Sequence, residues 1–195
     1  MKLCIFGGVG SGKSVALKFL EQAYGAEIIG MDETAHALYE PGREGWKEVI
    51  RLLGEGVLKD DRTLDRGRMA DILYRDPELM KRLNSVIHPL VYAEVDRRLK
   101  NSAAELTVVE TALPSGDRSA DYDERWYVYT PAGVRKERLM RDRGYTAERV
   151  AEIMGKQPPD EAYAKLSDWI LVNDGTPEEL KKKIAERLEG KVKML

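Results

Sequence analysis

Short apolar runs alternate with segments of helical periodicity along most of the chain. After the first run, apolar positions from Ala16 to Ala23 recur at the spacing of one helical face, and Gly25 is a suitable stop. Such alternation predicts an α/β fold with a five-stranded parallel sheet flanked by helices. The predicted strands are residues 2–6, 26–30, 106–109, 126–129 and 169–172.

Residues 33–104 contain no good strand pattern, so we predict a helical insertion there. One helix runs to Leu53 and is closed by Gly54. A second opens at Asp76-Pro77, where Asp is a suitable N-cap and Pro a suitable first helical residue. Pro89 is expected to open a third helix that ends near Ala104.

The segment after the fourth strand predicts two helices, at residues 132–143 and from Thr146 onwards. The first carries the arginines Arg135, Arg138, Arg141 and Arg143. These side chains form either a solvated face or a lid that closes over a nucleotide, and spacing alone does not separate the two. A Thr176-Pro-Glu-Glu capping box opens the last helix.

Composition narrows the classes of partner. Lys and Arg total 32 against 34 Asp and Glu, which is not the basic balance of a nucleic-acid-binding domain. The single cysteine, Cys4, excludes an internal disulfide and a cysteine-cluster metal site. No run approaches the roughly 20 apolar residues of a membrane span. We therefore expect a cytoplasmic protein that acts on small molecules; the sequence does not indicate its oligomeric state.

The segment Gly7-Gly8-Val9-Gly10-Ser11-Gly12-Lys13-Ser14 fits the P-loop pattern G-x-x-x-x-G-K-[ST]. Glycines let successive main-chain amides turn towards a phosphate, and the following helix presents its positive end. We expect residues 8–14 to bind the phosphates of ATP, with Lys13 at the outer phosphates and the Ser14 hydroxyl on Mg²⁺. The alternative is a glycine-rich turn that binds nothing.

Three classes of protein use such a loop: small-molecule kinases, GTPase switches and ATP-driven motors. No N-K-x-D segment for guanine recognition occurs. The third predicted strand ends in one acid, Glu110, where a motor ATPase usually has two. The kinase class is therefore favoured.

Asp32 follows the second predicted strand, at the edge of the sheet where α/β proteins bind ligands. A kinase for a hydroxyl acceptor needs a carboxylate there to orient the nucleophile and take its proton. Asp32 also suits the N-cap of a helix over residues 33–39, and the two roles are compatible.

The chain resembles the dephospho-CoA kinase family over nearly its full length. The resemblance rests on IFGGVGSGKSV, MDETAHALYEPG, LGEGVLKDDRTLDR, the I-H-P-L of residues 87–90, RLMRDRG, and Gln157 leading to SDWILVNDG. It implies a P-loop kinase core at 1–32 and 105–195, with a lid at about 135–160 and an inserted acceptor domain at 33–104. The implied reaction moves the ATP γ-phosphate to the ribose 3′-hydroxyl of dephospho-CoA.

The resemblance also assigns roles. Asp32 would be the general base, and Lys13, Arg138, Arg141 and Arg143 would stabilise the moving phosphoryl group. Asn173 and Gly175 would frame the adenine, unless they simply form a turn. The acceptor would contact Asp32, His88, Pro89, Glu110 and Leu113, with Glu110 also reaching Mg²⁺ through water. His88-Pro89 has the alternative of shaping a helix junction.

Two rival functions remain open at this point. The first is a P-loop kinase that acts on a nucleoside, nucleotide or sugar, because the insertion rather than the core selects the acceptor. The second is a nucleotide-binding regulator without transferase activity, against which the carboxylate of Asp32 argues.

Overall fold

The computed structural model describes residues 1–112 and 122–195. The chain divides into two compact units, one formed by Met1–Ile28 with Ser102–Leu195 and the other by Ile29–Asn101. In the described residues no helix is long and apolar enough to cross a membrane.

The predicted five-stranded parallel sheet is present, and its strand order is β2-β3-β1-β4-β5. β1 lies at its centre because both β3 and β4 pair with it. Its residues Leu3 and Ile5 are fully buried, since helices cover a parallel sheet on both faces. The strands are β1 Lys2–Phe6, β2 Glu27–Gly30, β3 Thr107–Thr111, β4 Glu124–Tyr129 and β5 Trp169–Val172.

Nine α-helices and one short 3₁₀ turn, Glu55–Val57, occur in the described residues. Gly25 and Gly54 end α1 and α3 as predicted, and Thr176 forms the full capping box of α9. The helices are α1 Lys13–Tyr24, α2 Met31–Leu38, α3 Glu44–Leu53, α4 Arg66–Arg75, α5 Pro77–Asn101, α6 Ala132–Arg143, α7 Ala147–Gly155, α8 Asp160–Lys165 and α9 Pro177–Leu188.

The prediction that Pro89 opens a separate helix is wrong, because Pro89 lies inside the 25-residue helix α5. A proline inside a helix removes one hydrogen bond and costs about 3 kcal/mol. An apolar stripe offsets this cost by continuing on both sides of the exposed Pro89: Leu83, Ile87, Val91, Val95 and Leu99 are buried at helical spacing. His88 therefore does not mark a helix junction.

The alternative that Asp32 caps a helix is also wrong. The N-cap of α2 is Gly30, and Asp32 is the second residue of the first turn. The hydroxyl of Thr34 donates to the carbonyl of Gly30 (2.7 Å), which holds the junction between β2 and α2 together. The Asp32 side chain is exposed and has no capping role.

Ion pairs form at the amino-terminal edge of the sheet, where β4 begins. The Glu124 carboxylate accepts hydrogen bonds from Lys191 Nζ (2.5 Å), Trp126 Nε1 (2.7 Å) and Arg187 Nε (3.0 Å). Burial raises the pKa of Glu124, but these three hydrogen bonds outweigh it and leave the pKa lowered. The network joins the start of β4 to α9 and to the residues that follow it.

Candidate active site

The P-loop connects β1 to α1 at the carboxyl edge of the sheet. Gly12 is the N-cap of α1 and has a φ of 89°, a conformation that strains any residue with a Cβ. A Cβ at Gly12 would also collide with the side-chain amide of Asn173. Glycine at this position is therefore required both by the backbone and by the close approach of a side chain.

In the described part of the chain no side chain caps the first turn of α1. Main-chain amides in the first turn of a helix have no partner within that helix, and the helix dipole adds positive potential there. Ser14 is exposed in this turn, so its hydroxyl faces the same space. The arrangement suits an anion.

Lys13 reaches back across the loop. Its Nζ donates to the carbonyl of Gly7 (2.7 Å) and lies 3.7 Å from Glu110 Oε1, and 16% of its side chain is exposed. The ammonium group is thus held at the ends of β1 and β3, on the inner side of the loop.

Two buried side chains hold the Ser11 carbonyl. Asn173 Nδ2 donates to it (2.7 Å), and Thr130 Oγ1 lies 2.9 Å from it and 2.8 Å from the Asn173 carbonyl. The Asn173 amide group therefore faces the P-loop. Arg138 donates to the carbonyls of Asn173 (3.2 Å) and Gly175 (3.3 Å), which brings these three sequence-predicted residues together.

The four arginines of α6 differ in their surroundings. Arg135 is buried and donates through Nε to the Val9 carbonyl (2.9 Å). Arg141 is exposed and pairs with Asp142 (2.6 Å), and the hydrogen bond lowers the pKa of Asp142. Arg143 is exposed too. The sequence spacing gave no reason to distinguish these arginines. In the structure, Arg135 is buried, whereas Arg141 and Arg143 are exposed.

A cavity of about 790 Å³ opens beside the P-loop within the same unit. Residues 8–14 form one wall, the exposed end of α6 with its arginines forms another, and the turn after β5 forms a third. The lining includes Glu110, Glu137, Arg138, Arg141, Arg143, Asn173, Asp174, Gly175 and Pro177. Its size and charge suit a nucleotide.

Three other predicted site residues, Asp32, His88 and Pro89, belong to the unit of residues 29–101. His88 is exposed on α5, and its ring lies 6.3 Å from the ring of Tyr92. Leu113 lies outside the described residues.

Sequence reasoning gave no site role to Thr130 or Gln157, and gave Arg135 only the alternative, shared with three other arginines, of a lid over a nucleotide. Arg135 appeared only as one of a row of arginines, and Gln157 only as part of the family resemblance. A signal existed for Gln157, because it is one of two glutamines in the chain and follows the end of α7. Thr130 gave no signal, since a threonine after a strand is common at turns.

The residues that the structure describes offer few side chains that could bind a metal ion. In residues 1–112 and 122–195 no group of three His, Cys, Asp or Glu side chains is arranged to hold one. Mg²⁺ bound with a nucleotide needs only one or two protein oxygens, because phosphates and water supply the rest. Ser14 and Glu110 provide such oxygens near Lys13, so the donor set fits Mg²⁺ carried by a nucleotide.

Comparison with known proteins agrees with this geometry. The family model described as dephospho-CoA kinase matches residues 1–179. A dephospho-CoA kinase from Aquifex aeolicus is 30% identical over 190 residues, covering 96% of each chain. The crystal structure of TT1252 from Thermus thermophilus has a TM-score of 0.79 and 27% identity, covering 99% of this chain and 98% of that one. A dephospho-CoA kinase from Campylobacter jejuni shares the fold, with a TM-score of 0.70 and 21% identity, covering 97% and 96%.

Proposed function

This chain belongs to the dephospho-CoA kinase family, and we propose that its P-loop, Asp32 and the arginines of α6 carry out the family's reaction by direct in-line transfer. The reaction is the ATP-dependent phosphorylation of the ribose 3′-hydroxyl of dephospho-CoA, which gives coenzyme A and ADP. The match over residues 1–179 favours this acceptor over a nucleoside or sugar.

The main support for this proposal is the P-loop and the cavity beside it. Main-chain amides of residues 8–14 hold the β- and γ-phosphates, and Lys13 places its charge at the outer oxygens. Asn173 and Thr130 hold the Ser11 carbonyl, so contacts within the protein fix the loop that presents these donors. Pre-positioned donors stabilise developing charge without reorganising during the reaction.

Ser14 would hold Mg²⁺ directly, and Glu110 would reach it through water. When bound, Mg²⁺ supplies charge neutralisation between the β- and γ-phosphates. Glu110 also keeps the Lys13 ammonium group in place from 3.7 Å away.

Asp32 is proposed as the general base. It lies in the first turn of α2, directly after β2, and the carboxyl ends of parallel strands are where such sheets bind ligands. Its carboxylate is exposed and makes no helix-capping bond, so it is available to accept the proton of the acceptor hydroxyl.

The unit of residues 29–101 is proposed to bind dephospho-CoA. His88 and Pro89 are exposed on α5 and present a ring and an apolar edge to a ligand. In the other unit, Glu110 and Leu113 would contact the acceptor.

Arg138, Arg141 and Arg143 are proposed to neutralise charge on the transferring group. All three line the cavity, and Arg138 is held by the carbonyls of Asn173 and Gly175. In the same place, Asn173 and Gly175 would frame the adenine, since both line the cavity beside the P-loop.

We place the reaction in the cytoplasm, with ATP and dephospho-CoA as its small-molecule partners. The buried Cys4 thiol, whose pKa burial raises to about 12, suits a reducing compartment because it has no cysteine to pair with in this chain.

The decisive test replaces Asp32 with Asn. We expect Asp32→Asn to keep ATP affinity within about twofold while turnover falls by about two to four orders of magnitude, the usual contribution of acid–base help. ADP release with dephospho-CoA measures turnover, and titration calorimetry measures ATP binding.

Glu33→Gln is the matched control, because Glu33 is the neighbouring carboxylate in the same first turn. It removes the same charge from the same helix end, so its turnover should stay near that of the unchanged protein. Equal turnover in the two variants would refute the role of Asp32. A panel of nucleosides, nucleotides and sugars in the same assay tests the acceptor, and preference for any of them over dephospho-CoA would refute that part.

A further inference from the structure

Val9, at the apex of the P-loop, is held through both of its main-chain groups. Arg135 Nε donates to the Val9 carbonyl (2.9 Å), and the Val9 amide donates to Gln157 Oε1 (3.3 Å). The second contact joins residues that are 148 positions apart in sequence. Neither partner belongs to the P-loop motif.

The two partners also bind each other, since Arg135 Nη2 donates to the same Gln157 Oε1. Arg135 Nη1 lies 3.9 Å from Asp160 Oδ1, and that oxygen accepts a hydrogen bond from the Tyr127 hydroxyl (2.5 Å). Arg135 is 6% exposed. A buried guanidinium with this many partners has one orientation, so it fixes the carbonyl that it binds.

The guanidinium of Arg135 lies close to the main chain of the P-loop at residue 8. A Cβ at Gly8 would collide with the Arg135 guanidinium. Glycine at this position therefore allows the close approach of an arginine to the loop.

We propose that Arg135 and Gln157 are positioning residues that set the place of Val9 beside the bound phosphates. They act through the main chain and need not touch substrate. Because Arg135 lies in α6 and Gln157 follows α7, the apex of the loop is tied to the segment that carries the other cavity arginines. The position of the loop and the position of these arginines are thus linked.

A shift of about 1 Å in a group that orients the reacting atoms can lower a rate about a hundredfold. Removing the Gln157 acceptor frees the Val9 amide and leaves Arg135 with fewer partners. The effect should appear in the transfer step more than in binding of the acceptor.

This inference rests on the proposed function, and its test compares Gln157→Ala, Gln157→Glu and Glu124→Gln in the full-length chain. We expect Gln157→Ala to lower kcat by about 10- to 100-fold with the KM for dephospho-CoA within about twofold. Hydrogen exchange of the Val9 amide should become at least about tenfold faster.

Gln157→Glu keeps an oxygen acceptor for both donors, so it should recover kcat to within about fivefold of the unchanged protein. Glu124→Gln controls for a general loss of stability, because Glu124 lies at the opposite edge of the sheet. Its kcat should not change at temperatures well below its unfolding midpoint.

The outcomes separate the two ideas. No ADP release from the unchanged protein with dephospho-CoA refutes the proposed function. With an active parent, a Gln157→Ala variant of equal or higher kcat overturns the positioning role. So does a loss that Gln157→Glu does not recover, or one that Glu124→Gln shares.

Discussion

The charged side chains at the two edges of the sheet have different bonding partners. At the amino edge, Glu124 accepts from Lys191, Trp126 and Arg187, and Arg125 pairs with Asp168 (2.9 Å). These charges meet charges of the opposite sign within the protein. At the carboxyl edge, side chains of Lys13, Asn173 and Arg135 donate to main-chain carbonyls of the P-loop. Lys13 and Arg135 also lie 3.7 and 3.9 Å from the carboxylates of Glu110 and Asp160.

This difference shows where the chain stabilises itself and where it prepares for a ligand. Lys13 and Arg135 lie farther from their carboxylates than Lys191 and Arg187 lie from Glu124, so we expect their charges to be offset less. The first-turn amides of α1 add positive potential at the same carboxyl edge. Substitutions at the carboxyl edge should therefore change catalysis, and substitutions at the amino edge should change stability.

Lys13→Ala gives the largest expected effect and the strongest test of this division. Removing the ammonium group should lower kcat/KM for ATP by about 10²- to 10³-fold, the usual loss for one donor to a developing negative charge. Steady-state ADP release measures it, and a thermal unfolding scan gives the accompanying change in stability. Near-normal activity would contradict this division, because a substitution at the carboxyl edge would then affect catalysis no more than one at the amino edge.

Arg138→Ala and Arg141→Ala compare two arginines that line the same cavity. Loss of the Arg138 guanidinium should lower kcat/KM for ATP by about 10- to 150-fold, since hydrogen bonds to charged groups contribute about 1.5–3 kcal/mol. Arg141→Ala should cost less, about two- to threefold, because Asp142 already offsets the charge of Arg141. Arg149→Ala, in an exposed pair with Glu152 on α7, serves as the control without effect. A reversed order would mean that Arg141 leaves Asp142 when ATP binds.

Glu124→Gln tests the amino edge and should leave catalysis unchanged. It should lower the free energy of unfolding at pH 7 by about 1 kcal/mol, because a neutral amide replaces a charged acceptor of three hydrogen bonds. The folded state lowers the pKa of Glu124, so its contribution is complete above the unfolded pKa of about 4.3 and is lost as pH falls through the folded value.

Urea unfolding at pH 7, 5 and 3 measures this dependence. The difference between Glu124→Gln and the unchanged protein should shrink between pH 5 and 3. A difference that stays constant with pH would show that packing, not charge, accounts for the loss.

Local rules were enough for most of the core fold. Glycine stops, the capping box at Thr176 and continuous apolar strands depend on neighbours in sequence, so the pattern predicted α1, β5 and α9 closely. Pro89 misled the prediction because the buried stripe of α5 outweighs one proline. In the sequence, that stripe can be recognised only when the apolar positions on both sides of Pro89 are considered together.

The candidate site was predictable where it follows a motif and not where it depends on packing. The P-loop carries its own pattern. The contacts of Val9 with Arg135 and Gln157 join residues more than 120 positions apart, and nothing local marks them. The resemblance placed Asn173 beside the nucleotide, but only packing shows that its amide faces Ser11.

The central place of β1 has a consequence for biosynthesis. Its partners lie far along the chain, with Lys2 opposite Thr107 and Leu3 opposite Glu124. At roughly 5–20 residues per second, a ribosome needs about 5–24 s to produce those partners after β1 has been made. Through that interval the apolar residues of β1 have no sheet to join, whereas the residues of α2 to α5 are synthesised in full. The centre of the sheet can therefore form only late in synthesis, after β3 and β4 have followed β1.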